Sequence, residues 1–455
     1  MNRREWRRRR RRRNQIITYI VFLIILAAVV GGVFLGIRHI SNAMMNGNSG
    51  QEGTDAAGEG TESMEESAPA EGSGTEESVQ NAGETGETQA VPETAQAETA
   101  VSEEALLEEA VDNYVAGMSL EDKVAGLFIV TPEQLTGVGT AVQAGEGTKE
   151  ALAKYPVGGL VYFSQNIQSA EQIKEMLANT RSYSKYPLFL AVDEEGGQVS
   201  RVAKQLGLED VGAMADIGAG QDASAAYEVG TTIGSYLKEY GFNLDFAPIA
   251  DVLTNPDNTV IGDRSFGSDP QLVSQMVASE VQGLQESGVS ACLKHFPGHG
   301  NTSGDSHNGA VETDRTLEEM QAAEFLPFSA GMEAGVDMIM AGHISAPGLT
   351  DGDSIPASMN EKIITDILRK QLGYDGIVIT DAMNMGAISE YYAADEAAIK
   401  ALKAGVDMIL MPEEFVTAYE GVIAAVQDGT IDERRIDDSL KRIYLVKYAD
   451  TLAEQ

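Results

Sequence analysis

Cysteine and tryptophan occur once each in the 455 residues, and histidine five times. The lone Cys292 excludes an internal disulfide. Its apolar run, VSACL, predicts a buried small hydrophobe rather than a nucleophile. No H-x-H and no H-E-x-x-H occurs, so the common zinc-hydrolase spacings are missing. The glycine-rich stretches GVGTAVQAGEG and DEEGGQVS match neither the P-loop nor the dinucleotide fingerprint. Positive charge is also scarce: 32 Lys and Arg stand against 70 Asp and Glu, for a formal net charge of -38.

What basic charge there is gathers at the start, in MNRREWRRRRRRR. An uncharged run, IITYIVFLIILAAVVGGVFLGI, follows from Ile16 to Ile37. At about 1.5 Å per residue it would make ~33 Å of helix, enough to cross a bilayer core of about 30 Å. Arginine before the span and none after Arg38 for a long way predict a cytoplasmic N-terminus and an outward-facing remainder. Beside such a span, the arginine run reads as a topology signal, not a nucleic-acid patch. A cleaved signal peptide would have a shorter apolar region and a small-residue cleavage site. Segment 38–101 is Gly, Ser, Thr, Ala, Gln and Glu with almost no large apolar side chain, which predicts a disordered acidic linker. The expected organisation is thus 1–15 cytoplasmic, 16–37 transmembrane, 38–101 linker and 102–455 a single catalytic domain at the cell membrane.

In that last part, eight short runs rich in Val, Ile and Leu alternate with amphipathic stretches. They centre near Leu127, Val161, Leu190, Leu244, Leu293, Ile339, Ile379 and Ile409. Eight such repeats predict an α/β fold, a (β/α)8 TIM barrel. Two of them echo each other, AGVDMIM from Ala334 and AGVDMIL from Ala404. A barrel gathers its site at the C-terminal ends of the strands. Asp193, Asp251, Lys294, His295, His343 and Asp381 fall there, with Arg201, Arg264, Asp305 and His307 just beyond.

Three of the five histidines lie in one glycine-rich loop, KHFPGHGNTSGDSH, from Lys294 to His307. Glycoside cleavage suits this set. It needs an ionised carboxylate on one face of a sugar and a proton donor near the leaving oxygen. Asp381, in VITDAMNMG, is placed to be the carboxylate. His307 can be the donor, with Asp305 two residues earlier to orient its ring. Asp193, Arg201, Arg264, Lys294 and His295 would hold the ring hydroxyls. Asp251 and His343 read equally well as structural.

Together, KHFPGHG, D-S-H, DEEGGQVSR, IGDRSFG and TDAMNMGAI resemble glycoside hydrolase family 3, in particular its β-N-acetylhexosaminidase branch. The resemblance covers nearly all of residues 110–450. It implies a retaining exo-enzyme that removes terminal β-linked N-acetylglucosamine without metal or cofactor. Asp381 would be the nucleophile, His307 the acid/base and Asp305 its partner. Asp193, Arg201, Arg264, Lys294 and His295 match sugar-binding positions, and His299 is expected only to shape the loop. Relatives that act as β-glucosidases take their acid from an additional domain. The end of this chain at Gln455 suggests that here the barrel supplies it. Asn301 and Gly304 depart from the usual pattern. The expected partners are cell-wall or chitin-type oligosaccharides and, through the apolar span, a membrane. A monomeric catalytic domain is expected, with no nucleic acid. A phosphorylase or another β-glycosidase on the same scaffold, a metal-dependent hydrolase and an inactive glycan-binding protein are the alternatives.

Overall fold

The computed structural model describes residues 93–307 and 309–453, with side chains from 105 to 448. The expected cytoplasmic segment, the apolar span and most of the linker lie outside the described residues. Among the described residues no helix is long and apolar enough to cross a membrane. The first helix, α1, runs Glu93–Ala116 and so begins inside the stretch read as linker. Its Ala, Glu and Leu content favours helix, and its later turns bury Leu107, Val111 and Val115 in the core.

Eight parallel strands follow: β1 Phe128–Val130, β2 Gly159–Val161, β3 Phe189–Val192, β4 Leu244–Asp245, β5 Ser290–Phe296, β6 Met338–Ala341, β7 Ile377–Thr380 and β8 Ile409–Leu410. Each pairs with its sequence neighbours, and β8 returns to pair with β1. The seam between β7 and β8 is one bridge, Ile379 to Met408. Hydrogen bonds from Thr380 N to Met408 O and from Met408 N to Val378 O reinforce it. The result is a nearly closed barrel. All eight expected apolar runs contribute a strand, and every residue of these strands is buried. Burial on both faces is why they read as continuous apolar runs.

The helices between them show why the sequence alternates. α2, Ala170–Tyr183, starts at Ser169, whose side chain accepts the N–H of Gln172. It buries Ile173, Met176, Leu177 and Thr180, the spacing of one helical face. α3, Ala223–Tyr240, is capped by Asp222 and stopped by Gly241 at φ 101°, a left-handed turn that feeds β4. α4, Pro270–Glu286, is capped by Asp269 with Pro270 in its first turn. The stretch Lys362–Gln371 winds more widely, with Leu372 N bonding back to Ile367 O. The last helix, α5, spans Glu433–Ala453.

The echoed AGVDMI segments enter β6 and β8 from the N-terminal end of the barrel. Their aspartates, Asp337 and Asp407, are both fully buried there. Asp337 accepts from Ser290 Oγ at 2.8 Å. Asp407 accepts from Val378 N and Ser439 Oγ and faces Arg369, Arg435 and Arg442. The repeat therefore builds the barrel floor.

Candidate active site

β3 ends at Val192, and the acidic stretch Asp193–Glu195 turns over the mouth. Its three carboxylates have three different jobs. Glu194 points into protein and accepts the backbone N–H groups of Arg201, Val202 and Ala203, as well as Ser200 Oγ and Tyr236 Oη. It fixes the hairpin that carries Arg201. Glu195 pairs with Lys294 Nζ at 2.6 Å and with Arg264 at 2.8 and 2.9 Å. Burial alone would raise its carboxyl, but Lys294 and Arg264 hold it at about 2. Asp193 takes the other side of Lys294 at 2.7 Å. Burial opposes the lysine charge, and these two carboxylates outweigh it, raising Lys294 above its usual value.

β5 delivers the histidine loop. His295 donates its backbone N–H to Asp251, and its Nδ1 lies 2.8 Å from Asp251 Oδ2. Asp251 also accepts His299 N at 2.6 Å. It is fully buried. Burial would raise its carboxyl, and the neighbouring histidines with these N–H groups lower it instead. Asp251 thus sets the path of the loop rather than facing a ligand. Gly300 passes so close to the chain that an added Cβ would meet Val252 O at 1.9 Å, which explains the second glycine of KHFPGHG.

Beyond β7, Asp381 Oδ1 accepts Ala382 N at 2.8 Å. Burial tends to raise this carboxyl, while His295 nearby and the Ala382 N–H lower it, so it stays ionised. His343 is fully engaged: Nε2 donates to Ala382 O at 3.0 Å and Nδ1 accepts from Ser358 Oγ at 2.8 Å. It orients the backbone next to Asp381. His307 is exposed, with Nδ1 2.8 Å from Asp305 Oδ1, the pairing expected from the D-S-H spacing. Asp305 also accepts His307 N at 2.9 Å. Against the effect of burial, these contacts lower its carboxyl. The turn is tied to the strand-7 loop by hydrogen bonds from Gly386 N to His307 O and from Ala387 N to Ser306 O. Asn301 accepts from Thr313 Oγ1 at 3.2 Å, so this departure serves the loop.

One cavity of about 340 Å³ at this mouth is lined by Asp193, Arg201, Arg264, Lys294, His295, His307 and Asp381. Every residue expected to hold the sugar, the expected carboxylate and the expected proton donor line it. Asp305 stands behind His307. Sequence reasoning missed Glu195, and it missed His299 as a lining residue; Phe163, Asn384 and Met385 also line the wall. The DEEGG run signalled an acidic turn, but nothing in it says which carboxylate faces the cations. Cys292 is buried, as expected, and burial pushes its thiol well up. Among the described residues no group of three or more His, Cys, Asp or Glu side chains is placed to hold a metal ion. The arrangement can present a carboxylate to one face of a small polar ring and a histidine to its leaving group.

The family model "Glycosyl hydrolase family 3 N terminal domain" matches residues 119–446. Beta-hexosaminidase A of Pseudoalteromonas piscicida is 35% identical over 325 residues, covering 66% of this chain and 54% of its own length. Beta-hexosaminidase LpqI of Mycobacterium tuberculosis is 34% identical over 340 residues, covering 72% and 83%. The structure of a glycoside hydrolase family 3 beta-N-acetylglucosaminidase from Paenibacillus sp. FPU-7 superposes with a TM-score of 0.70 at 35% identity. That match covers 74% of this chain and 63% of the other. The chain thus spans only about half of the first relative.

Proposed function

The chain belongs to glycosyl hydrolase family 3, and on that premise we propose that it is a retaining exo-β-N-acetylhexosaminidase acting on terminal β-linked N-acetylglucosamine. The observation that carries the reading is the meeting of Asp381 and His307 in one cation-rich cavity. Asp193, Arg201, Arg264, Lys294 and His295 hold the sugar hydroxyls. Asp381 attacks the anomeric carbon while His307 gives its Nε2 proton to the leaving oxygen, and the aglycone departs as an alcohol. His307 then takes a proton from water, whose oxygen displaces Asp381 from the same carbon. Two displacements at one centre retain the configuration. Asp305 holds the Nδ1 proton of His307, keeping Nε2 for transfer.

The apolar span Ile16–Ile37 motivates a second part of the proposal: a membrane-anchored, outward-facing enzyme whose acidic linker lets the barrel reach wall-derived or chitin-type oligosaccharides. The test uses full-length protein on aryl β-N-acetylglucosaminide and aryl β-glucoside, with chelator, and with and without phosphate. Cleavage of the first substrate alone, indifferent to both additions and lost in Asp381→Ala, supports the reading. Sugar phosphate as product, or activity surviving in the variant, overturns it. Membrane extraction that needs detergent supports the anchor, and release in salt alone overturns it.

A further inference from the structure

Deepening that reading, we propose that His299 contacts the bound sugar itself, through an Nε2 that carries no proton and accepts a hydrogen bond from one donor of the glycan. The identity of the sugar rests on the function proposed above; the acceptor does not.

His299 lines the cavity, yet it is only 2% exposed, and its Nε2 has no hydrogen-bond partner among the described residues. A buried, unpaired ring nitrogen is costly unless something else satisfies it. The other ring nitrogen is fixed. Thr302 Oγ1 lies 2.7 Å from His299 Nδ1 and 2.9 Å from the His299 carbonyl oxygen. Those two contacts need two protons, and the hydroxyl has one. The carbonyl can only accept, also from Asn258 Nδ2 and Thr302 N, and the tautomer that makes every one of these contacts a hydrogen bond gives it the hydroxyl proton and puts the second proton on Nδ1. Nε2 is left as a bare lone pair. Burial, and then the nearness of His295, lower the ring from its usual 6.5, so it stays neutral.

The position is rigid as well. Asp251 accepts the His299 backbone N–H at 2.6 Å, and Asn258 Nδ2 donates to its carbonyl at 2.7 Å. The same cavity is lined by Arg201, Arg264 and Lys294, which can only donate, and by the carboxylates Asp193, Glu195 and Asp381. A neutral acceptor fixed in that wall answers a hydroxyl or an amide N–H. A pocket built on such a bond rejects ligands that lack the donor more strongly than apolar contact can.

The experiment removes one donor at a time. Full-length enzyme is assayed on an aryl N-acetyl-β-glucosaminide, its 3-, 4- and 6-deoxy analogues and the 2-O-acetyl analogue, which lacks the amide N–H. One analogue should be poorer than the parent by about 10- to 100-fold in kcat/KM. In His299→Phe the parent should fall by that factor, and the two should become equal to within about twofold. Unchanged discrimination across the panel in the variant overturns the proposal. A second arm needs no variant. With only five histidines, ¹⁵N imidazole spectra of the wild type can be resolved. An unprotonated His299 Nε2 that shifts with N-acetylglucosamine is expected, and a proton on Nε2 overturns the proposal whatever the enzyme cleaves. Failure of the functional reading is recognised separately, as a wild type inert towards the parent. The ¹⁵N arm then decides for His299 alone.

Discussion

Two buried carboxylate–cation networks stand at opposite ends of the same strands. At the floor, Asp407 is surrounded by Arg369, Arg435 and Arg442, a serine hydroxyl and a backbone N–H. Burial would raise its carboxyl, and the three arginines hold it below the usual 3.8. At the mouth, Asp193 and Glu195 share Lys294, and Glu195 also clamps Arg264. The chemistry is the same and the outcome differs. Helices α5 and Lys362–Gln371 supply the floor arginines and spend them on one carboxylate. The mouth cations are held by carboxylates from one side and still line a cavity on the other. Buried charge pairs therefore do not by themselves mark the site; donors left facing open space do.

The largest effect should separate the two ends by activity. Asp381→Asn is expected to lower kcat by a factor of about 10⁴ with little change in melting temperature. Asp407→Asn should do the reverse. It leaves three arginines without their shared counter-charge, at a cost of about 3–5 kcal/mol, while the folded fraction keeps its kcat/KM. Because the Asp407 carboxyl is depressed in the fold, its contribution is present above its unfolded value and is lost as pH falls through the folded one. Acid titration of the wild type should show this limb, and the variant should lack it. An Asp407→Asn enzyme of normal stability but low kcat would erase the distinction between floor and mouth.

Another buried carboxylate belongs to neither network and sharpens the contrast. Glu280 in α4 is fully buried, and both its oxygens lack a partner among the described residues. Burial raises its carboxyl from 4.5 to about 8. A raised acid gives the fold its full stability below the unfolded value and loses it as pH climbs to the folded one, a loss of roughly 3 kcal/mol by pH 7. Glu280→Met should therefore stabilise the protein, and more at pH 8 than at pH 5 in denaturant melts. A gain independent of pH would mean that Glu280 is not the group carrying the proton.

The barrel was legible because its strands are buried on both faces and their composition says so. The meeting of Asp193, Arg201, Arg264, Lys294, His295, His307 and Asp381 was legible once eight strands were granted, since a barrel brings strand ends together. Glu195 was not, because Asp193, Glu194 and Glu195 are chemically alike. Only the hairpin through Glu194–Gly196 and Val199–Ser200 turns one towards the backbone and two towards Lys294. Asp251 and His343 stayed ambiguous because their roles lie in what they hydrogen-bond, not in where they fall in the chain. The AGVDMI echo gave no hint of its meaning until Asp337 and Asp407 appeared at the floor. His299 looked like a loop residue because motif spacing does not say which ring nitrogen is already taken.

The smallest effect tests Asp305, which in the proposed function acts only through His307, as a positioning residue. Asp305→Asn keeps an oxygen near His307 Nδ1 but removes the negative charge that steadies the imidazolium. The deficit should fall on kcat and leave KM nearly unchanged. Its size should depend on the leaving group. A glycoside of a simple alcohol needs its oxygen protonated as the bond breaks, so kcat should drop by about 10- to 100-fold. A nitrophenyl glycoside leaves almost unaided and should lose less. The Asp305 carboxyl lies below its usual value, so this carboxylate stays ionised through the neutral range and takes a proton only at acid pH. An equal loss on both leaving groups would place Asp305 in the structure of the loop and not in proton transfer. The mouth would then owe its chemistry to Asp381 and His307 without a carboxylate behind the histidine.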